Sequence, residues 1–328
     1  MKPSLDIIVV NWNSGDHLGR CMQSVQSACK DGLELQQIVV VDNASSDRSA
    51  EGIEVTGLPL RLISNASNRG FAAACNQGAR DSSAEYLLFL NPDVRLLSDS
   101  LQAPIQFMQD PNNAGIGICG IRLLDDQGHL TRTCSRFPTP ALFFSWMIGL
   151  DRFFPKRFVS PPLPEADLNE SRTVDQVMGA FFMVRRAVFE ALGGFDERFF
   201  VYFEDLDFSY RAMQDGWVSF YLASAQAHHV GGGCSEQVKA KRLYYSLTSR
   251  ILYCYKHFGR LSGAALLLAT VLIEPVSRLA LAVGHGSPVE ASDTLKSYAM
   301  FWRELPSLIA HGIGACEASG SVPSAGAE

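Results

Sequence analysis

The first part of the chain alternates short apolar runs with segments whose apolar residues recur at helical spacing. The runs are rich in Ile, Val and Leu and lack a regular polar alternation, which is typical of strands covered on both faces of a sheet. A strand and helix order of this kind predicts an α/β fold with a mostly parallel sheet flanked by helices. The predicted strands are residues 5–10, 37–41, 60–63 and 86–90, and the predicted helices are residues 17–28, 47–55 and 71–82.

Composition narrows the class of protein. A chain of 328 residues with 47% hydrophobic and 19% charged residues is long and apolar enough for a catalytic domain with an appendage. The net charge of -6 leaves no basic excess for phosphates along a groove, so nucleic acid is not an expected partner. The eight cysteines include no C-x-x-C pair, and the N-terminal residues that run into the first strand are too short and too soon acidic to be expected to act as a signal peptide. We therefore expect reduced thiols and a cytoplasmic catalytic part.

Polar residues gather where three of the predicted strands end, at residues 11–14, 42–47 and 91–93. Ligands of open parallel sheets bind beyond these carboxyl ends. Each segment taken alone is explained by turns and helix caps, which favour Asp, Asn and Ser. Together they predict a nucleotide-diphosphate site, because a uracil or thymine ring needs a hydrogen-bond acceptor and a metal-bound diphosphate needs a hard oxygen ligand from a second loop.

A second acidic segment lies further along the chain, where Glu204, Asp205 and Asp207 follow a run of aromatic residues. Carboxylates are costly in apolar surroundings, which predicts proton chemistry. A substrate hydroxyl is a poor nucleophile unless a carboxylate takes its proton, and Asp205 is our candidate for this base. In the structural alternative, Glu204 and Asp205 begin a helix while Asp207 pairs with Arg211 one turn later.

Two further segments have both a functional and a structural interpretation. Glycines follow His228 and His229, and this pattern can set an imidazole and backbone N–H groups against a phosphate or a metal ion. We predict that His229 supports the pyrophosphate or metal and that His228 is structural; the alternative for His229 is an ordinary strand end. Small residues in 68–78 allow close approach of a ligand at Gly70 or, alternatively, tight packing of a helix on the sheet.

Six motifs in order resemble those of family-2 glycosyltransferases with the GT-A fold, and within that family the rhamnosyltransferase-like branch. No single motif is specific, whereas the ordered combination is. The resemblance covers roughly residues 5–258. The motifs occupy residues 10–13, 42–47, 68–71, 90–93, 193–197 and 204–207.

The resemblance implies a single Rossmann-like sheet and an inverting hexosyl or rhamnosyl transferase. The donor would be a dTDP- or UDP-sugar, and the acceptor a lipid-linked or cell-surface glycan. Asp42 would contact the nucleobase, Asp93 would ligate Mg²⁺ or Mn²⁺, and Asp205 would be the catalytic base. The implied donor site comprises Asn11, Asn13, Asp42, Ser45, Asp47, Asn68, Gly70 and Asn91, and the acceptor cleft comprises Glu204 and Tyr202.

The chain departs from the family pattern at the metal motif. Asn91-Pro92-Asp93 stands where Asp-x-Asp is usual, so one carboxylate remains and the other ligands fall to phosphates, water or another side chain. The rhamnosyltransferase-like branch commonly carries this variant. A catalytically weak nucleotide-sugar-binding scaffold in glycan assembly is the alternative function, although a scaffold has no need of Asp42, Asp93 and Asp205 together.

The character of the chain changes after residue 258. Residues 261–283 are largely apolar, but Glu274 and Pro275 argue against a clean membrane span. Residues 236–260 carry a net charge of +5, and a basic helix leading into an apolar one predicts attachment to the cytoplasmic membrane surface. The alternative is packing on the catalytic domain or on a second subunit of a homodimer. The expected divisions are a catalytic domain 1–258 with a proline-rich irregular flap at 138–172, apolar helices 259–314, and a disordered tail 315–328.

Overall fold

The computed structural model describes residues 2–29, 32–53, 57–150, 162–231 and 239–310. The chain divides into two compact units, each discontinuous in sequence. The first unit contains residues 1–137, 161–196 and 204–236, and the second contains residues 138–160, 197–203 and 237–328. The expected tail 315–328 and residues 151–161 of the expected flap lie outside the described residues.

The first unit contains, among its described residues, a nine-stranded sheet flanked by helices. Its strand order is β3-β2-β1-β4-β10-β6-β11-β5, with β8 added to β11, and β7 pairs with β9 in a separate small sheet. The strands are β1 Ser4–Asn11, β2 Glu34–Asp42, β3 Leu60–Ser64, β4 Tyr86–Leu90, β5 Val94–Leu96, β6 Ile116–Leu124, β7 Cys134–Ser135, β8 Arg172–Val174, β9 Gln176–Val177, β10 Phe181–Arg185 and β11 Val218–His229.

Helices flank this sheet. In chain order they are α1 His17–Ala28, α2 Phe71–Ala79, α3 Gln102–Gln109, α5 Arg186–Ala191 and α6 Glu204–Gln214, with 3₁₀ turns at Pro111–Asn113 and Glu165–Leu168. Helix α4, Pro140–Met147, belongs to the second unit. It begins behind Thr139, whose side chain accepts a hydrogen bond from the Leu142 N–H, so the proline-rich segment is less irregular than expected.

The α/β prediction is confirmed. Each of the four predicted strands lies within an observed one, and β3, β2, β1 and β4 are parallel. Successive residues of β1 enter different hydrophobic clusters, with Ile7 on one face of the sheet and Ile8 on the other. Apolar residues therefore cover both faces, which explains why the strands lack polar alternation.

The predicted helix at 47–55 is wrong. Residues 47–53 form turns, and residues 54–56 lie outside the described part of the chain. Arg48 and Gly52 have positive φ angles of 61° and 68°, which a right-handed helix does not allow. The side chain of Asp47 also accepts hydrogen bonds from the N–H groups of Gly15 and Ser49 and so holds the turn.

Helix α2 packs tightly on the sheet. A Cβ atom at Gly78 would lie 2.6 Å from Cγ2 of Ile8 and 3.2 Å from Cγ2 of Val41. Ala72 and Ala74 are fully buried in the same layer. Tight packing, which was one of the two interpretations of these small residues, accounts for Gly78 and the alanines. Gly70 differs, because it lies just before the helix and has a φ of 84°, a backbone conformation that favours glycine.

The second unit is helical. Besides α4 it contains α7 Lys239–Leu272, α8 Glu274–Gly284 and α9 Pro288–Ala310. Helix α7 is broken at Gly259, whose φ and ψ are 81° and 173°. No single helix among the described residues has the length and apolar character needed to cross a bilayer, while α7 and α8 together pass that test as a pair bent by 43°.

Candidate active site

Asn11 anchors a polar network at the carboxyl ends of β1 and β2, where it lies opposite Asp42 in the parallel register. The side chain of Asn11 is fully buried, and its Nδ2 lies 2.8 Å from Asp42 Oδ1 and 3.0 Å from Ser45 Oγ. Ser45 Oγ also donates to Asp42 Oδ1 at 2.6 Å and accepts from the Asn13 N–H at 3.0 Å. The structure thus brings four of the predicted donor residues together.

Asn13 and Asp47 fix the loop above this network. Asn13 Oδ1 accepts hydrogen bonds from the N–H groups of Ser46 and Asp47. Burial acts to raise the pKa of Asp47, but hydrogen bonds from Ser49 and from the Gly15 N–H outweigh it and hold that pKa below the ordinary value. Asp47 and Gly15 line a cleft of about 830 Å³.

Asn43 connects this loop to the start of α2. Its buried side chain donates to Asn68 Oδ1 at 2.9 Å and to the Gly70 carbonyl at 3.1 Å. It accepts from the Arg69 N–H at 3.0 Å and from Asn65 Nδ2 at 3.1 Å. Asn68 in turn accepts from the Gly70 N–H at 2.9 Å. Asn43 was not among the predicted site residues, yet its place inside the motif at 42–47 was a signal that could have identified it.

Asp93 and His229 meet where β11 pairs with β5. Residue 229 lies opposite Val94 in the antiparallel pairing of β11 with β5, so His229 Nε2 comes within 3.4 Å of Asp93 Oδ1. Burial acts to raise the pKa of Asp93, but the hydrogen bond and charge of His229 outweigh it and lower that pKa. A cavity of about 200 Å³ opens beside Asp93, lined also by His17 and Arg20 of α1.

These two side chains fit a divalent ion that is shared with a substrate. They offer one carboxylate and one imidazole, and no group of three or more His, Cys, Asp or Glu side chains forms a metal cluster within the described ranges. Mg²⁺ in nucleotide sites is usually held by one or two carboxylates, substrate phosphates and water. The donor set therefore suits a metal bound together with a diphosphate.

Asp205 lies at the start of α6 and is partly exposed. Its carboxylate accepts hydrogen bonds from Gln176 Nε2 at 2.9 Å, the Gly179 N–H at 2.8 Å and the Leu206 N–H at 2.7 Å. Burial raises the pKa of Asp205 despite the lowering effect of these hydrogen bonds. Gln176 and Gly179 are site neighbours that the sequence did not reveal, because they come from a segment without a motif.

Glu204 is more deeply buried, with 6% of its surface exposed. Its Oε2 has no hydrogen-bond partner among the described residues. Burial, followed by the charge of Asp205, raises the pKa of Glu204 well above its ordinary value. Burial thus raises the pKa of both adjacent carboxyl groups, Glu204 and Asp205.

Asp207 is structural. It is fully buried, and its Oδ2 accepts from Arg211 Nε at 2.8 Å. Arg211 also donates to the carbonyls of Leu192 and Gly194. The predicted pairing one helical turn apart is confirmed. Tyr202 falls in the second unit, where the guanidinium of Arg242 lies 5.9 Å from its ring centre; Tyr202 has a positive φ of 68°.

The loop that begins at Asn91 and carries Asp93 is connected to the Asp205 carboxylate through two neighbouring backbone groups, those of Gly179 and Ala180. The Asn91 N–H donates to the Ala180 carbonyl at 3.0 Å, while the N–H of Gly179 donates to Asp205. The strands β2, β1, β4 and β10 are consecutive in the sheet. The residues at their ends therefore line up side by side at the carboxyl end of the parallel strands, in the order Asp42, Asn11, Asn91 and Gly179. The His228 ring lies 3.3 Å from the Asp125 carbonyl. The glycines after residue 231 lie outside the described residues.

Comparison with known proteins supports the family resemblance of the sequence motifs. A family model described as glycosyl transferase family 2 matches residues 6–193. The chain is 27% identical over 242 residues to the N-acetylglucosaminyl-diphospho-decaprenol L-rhamnosyltransferase of Mycobacterium tuberculosis, covering 70% of this chain and 76% of that protein. It is also 27% identical over 177 residues to the rhamnosyltransferase WbbL of Escherichia coli K12, covering 53% of this chain and 63% of WbbL.

A solved structure shares the fold. The mannosyltransferase PcManGT from Pyrobaculum calidifontis, in complex with GDP-Man and Mn²⁺, superposes with a TM-score of 0.54 at 18% identity. The match covers 96% of this chain and 86% of that one. At this level of identity the likeness concerns the fold alone, and it agrees with the GT-A architecture implied by the sequence motifs.

Proposed function

The chain belongs to glycosyl transferase family 2, and from this membership we propose an inverting transfer of a sugar from a nucleotide-diphosphate donor to a lipid-linked or cell-surface glycan. L-Rhamnose is the sugar we propose, because two of the relatives are named as rhamnosyltransferases. The donor is then a dTDP- or UDP-sugar made in the cytosol, where we also place the active site.

The observation that carries this proposal is the link between the Asn91 loop and Asp205. The Asn91 N–H bonds to the Ala180 carbonyl and the Gly179 N–H bonds to Asp205, so a base candidate stands beside the loop that carries Asp93. A binding scaffold has no use for a carboxylate whose pKa is raised by burial at such a position.

The chemistry assigned to this chain is one displacement. Asp205 accepts the proton of the acceptor hydroxyl as its oxygen attacks the anomeric carbon. The bond between that carbon and the diphosphate oxygen breaks, and the nucleoside diphosphate leaves with both electrons of the bond. Attack and departure on opposite sides of the sugar invert the anomeric configuration.

The remaining residues bind and orient. Asp42, held by Asn11 and Ser45, is assigned to the nucleobase, while Asn13 and Asp47 shape the loop above it. Asp93 and His229 would hold Mg²⁺ or Mn²⁺, which when bound offsets the negative charge of the leaving diphosphate. Burial raises the pKa of Glu204, and we assign its carboxyl to the acceptor cleft.

The proposal is tested by screening purified protein against a panel of nucleotide sugars and measuring nucleoside-diphosphate release with polyprenyl-diphosphate-linked acceptors. Proton NMR of the product reports its anomeric configuration. We expect release to require an acceptor and dTDP-L-rhamnose to give the highest rate, with inversion. A retained configuration would refute the single displacement, and binding of donors without release from any of them would favour the scaffold.

A further inference from the structure

Residues 261–284 of the helical unit have an unusual distribution of polarity, because exposed apolar side chains surround a buried carboxylate. Residues 261–284 contain two charged side chains, Glu274 and Arg278. Glu274 is 1% exposed. Its carboxylate pairs with the buried Arg250, and its Oε1 also accepts from Arg278 Nε at 2.9 Å. The charge that argued against a membrane span in the sequence is therefore neutralised inside the helical unit.

The outer side of these helices is apolar. Five side chains, each at least 60% exposed, define what we call the apolar face: Leu261, Leu268, Leu272, Val276 and Val283. Within α7 the three leucines recur at intervals of seven and four residues, and within α8 the two valines are seven apart, so each set lies on one side of its helix. In the first unit the most exposed large apolar side chain described is Leu62, at 46%.

A cationic segment precedes the apolar face. Residues 239–260 include six Lys or Arg side chains and no Asp or Glu. Arg250 is buried with Glu274, and three exposed cations of this segment define the basic flank: Lys239, Lys241 and Arg260.

We propose that the apolar face inserts into the interfacial layer of an anionic lipid bilayer, with the basic flank against its headgroups. Charge complementarity selects this occupant over a second copy of the chain. A symmetric dimer through the face would bring two basic flanks into one assembly, because both copies use the same surface. Anionic headgroups instead neutralise the flank while the acyl boundary takes up the leucines and valines.

This inference rests on the surface of the helical unit and is independent of the catalytic proposal. It is tested on the full-length protein without substrates, by flotation with vesicles of phosphatidylcholine alone or mixed with phosphatidylglycerol. We expect binding to the mixed vesicles. The double substitution Leu268→Ser with Leu272→Ser should weaken that binding by about 10- to 100-fold, since two exposed leucines no longer enter the lipid.

A matched control changes exposed apolar residues elsewhere. Leu62→Ser with Met213→Ser alters two side chains of similar exposure in the first unit and should leave vesicle binding unchanged. Lys239→Gln with Lys241→Gln should lower binding about fivefold per charge at low salt, and high salt should remove this difference.

Two results would overturn the inference. One is a wild-type protein that stays in the aqueous phase with both kinds of vesicle. The other is a wild-type dimer, seen by light scattering, that the double leucine variant converts to a monomer, because the face is then a contact between copies. Circular dichroism and donor binding confirm in either case that the variants are folded.

Discussion

Replacing Asn43 by alanine is expected to destabilise the protein and weaken donor binding together. The buried amide makes four hydrogen bonds, to Asn68, Gly70, Arg69 and Asn65, at 2.9 to 3.1 Å. At about 0.5–1.5 kcal/mol for each bond, the loss is about 2–6 kcal/mol. With about 2–4 °C for each kcal/mol in a domain of this size, Tm should fall by roughly 4–24 °C.

The assay pairs differential scanning fluorimetry with titration of the nucleoside diphosphate. Asn76→Ala is the matched control, because the Asn76 side chain hydrogen-bonds to the N–H and carbonyl of Phe195 and not to the loop at residues 42–47. We expect both variants to lose stability and Asn43→Ala alone to lose donor affinity, by at least tenfold. If Asn43→Ala binds the nucleotide as well as Asn76→Ala does, Asn43 does not organise the donor loop and the reasoning is refuted.

Three further outcomes are expected. EDTA should abolish transfer, and Asp93→Ala should weaken binding of the nucleoside diphosphate more than that of the free nucleoside; equal losses in a titration of both ligands would reject the metal assignment. Since burial raises the pKa of Asp205, activity should fall with decreasing pH at a higher pH than an ordinary aspartate gives, and Glu204→Gln should keep this acid limb in the pH-rate profile because the Asp205 carboxyl is intact. Burial acts to raise the pKa of Glu274, but the charge of Arg250 outweighs it and lowers that pKa. The pair therefore stabilises the fold fully above the ordinary glutamate pKa, and this stabilisation is lost as the pH falls through the lowered pKa. Glu274→Gln should lower the free energy of unfolding in urea by about 3–5 kcal/mol at neutral pH and flatten its dependence on acid pH.

The sequence predicted the parallel part of the sheet because local patterns determine it. Runs such as 5–10 and 86–90 are almost entirely apolar, because strands that are covered on both faces of a sheet bury nearly all of their side chains. The helix at 47–55 failed for a tertiary reason. Asn13, more than thirty residues earlier, accepts hydrogen bonds from the N–H groups of residues 46 and 47, and local spacing carries no record of that contact.

The candidate site shows the same division between local and long-range information. Asp42, Asp93 and Asp205 stand in motifs and were predicted as site residues from them. Gln176 and Gly179 escaped notice because they reach Asp205 across 29 and 26 residues of chain, through a segment with no distinctive pattern. The pairing of Asp207 with Arg211 was predictable, since it follows from helical spacing alone.

The central claim, that Asp205 is the catalytic base, is tested most directly by Asp205→Asn. The measurement compares turnover by nucleoside-diphosphate release with the donor Kd from calorimetry, using Glu204→Gln as the isosteric control next to it. The account predicts that Asp205→Asn lowers turnover by about 10²- to 10⁴-fold and leaves the donor Kd within about threefold of the wild type. Turnover close to that of the wild type in Asp205→Asn would contradict it.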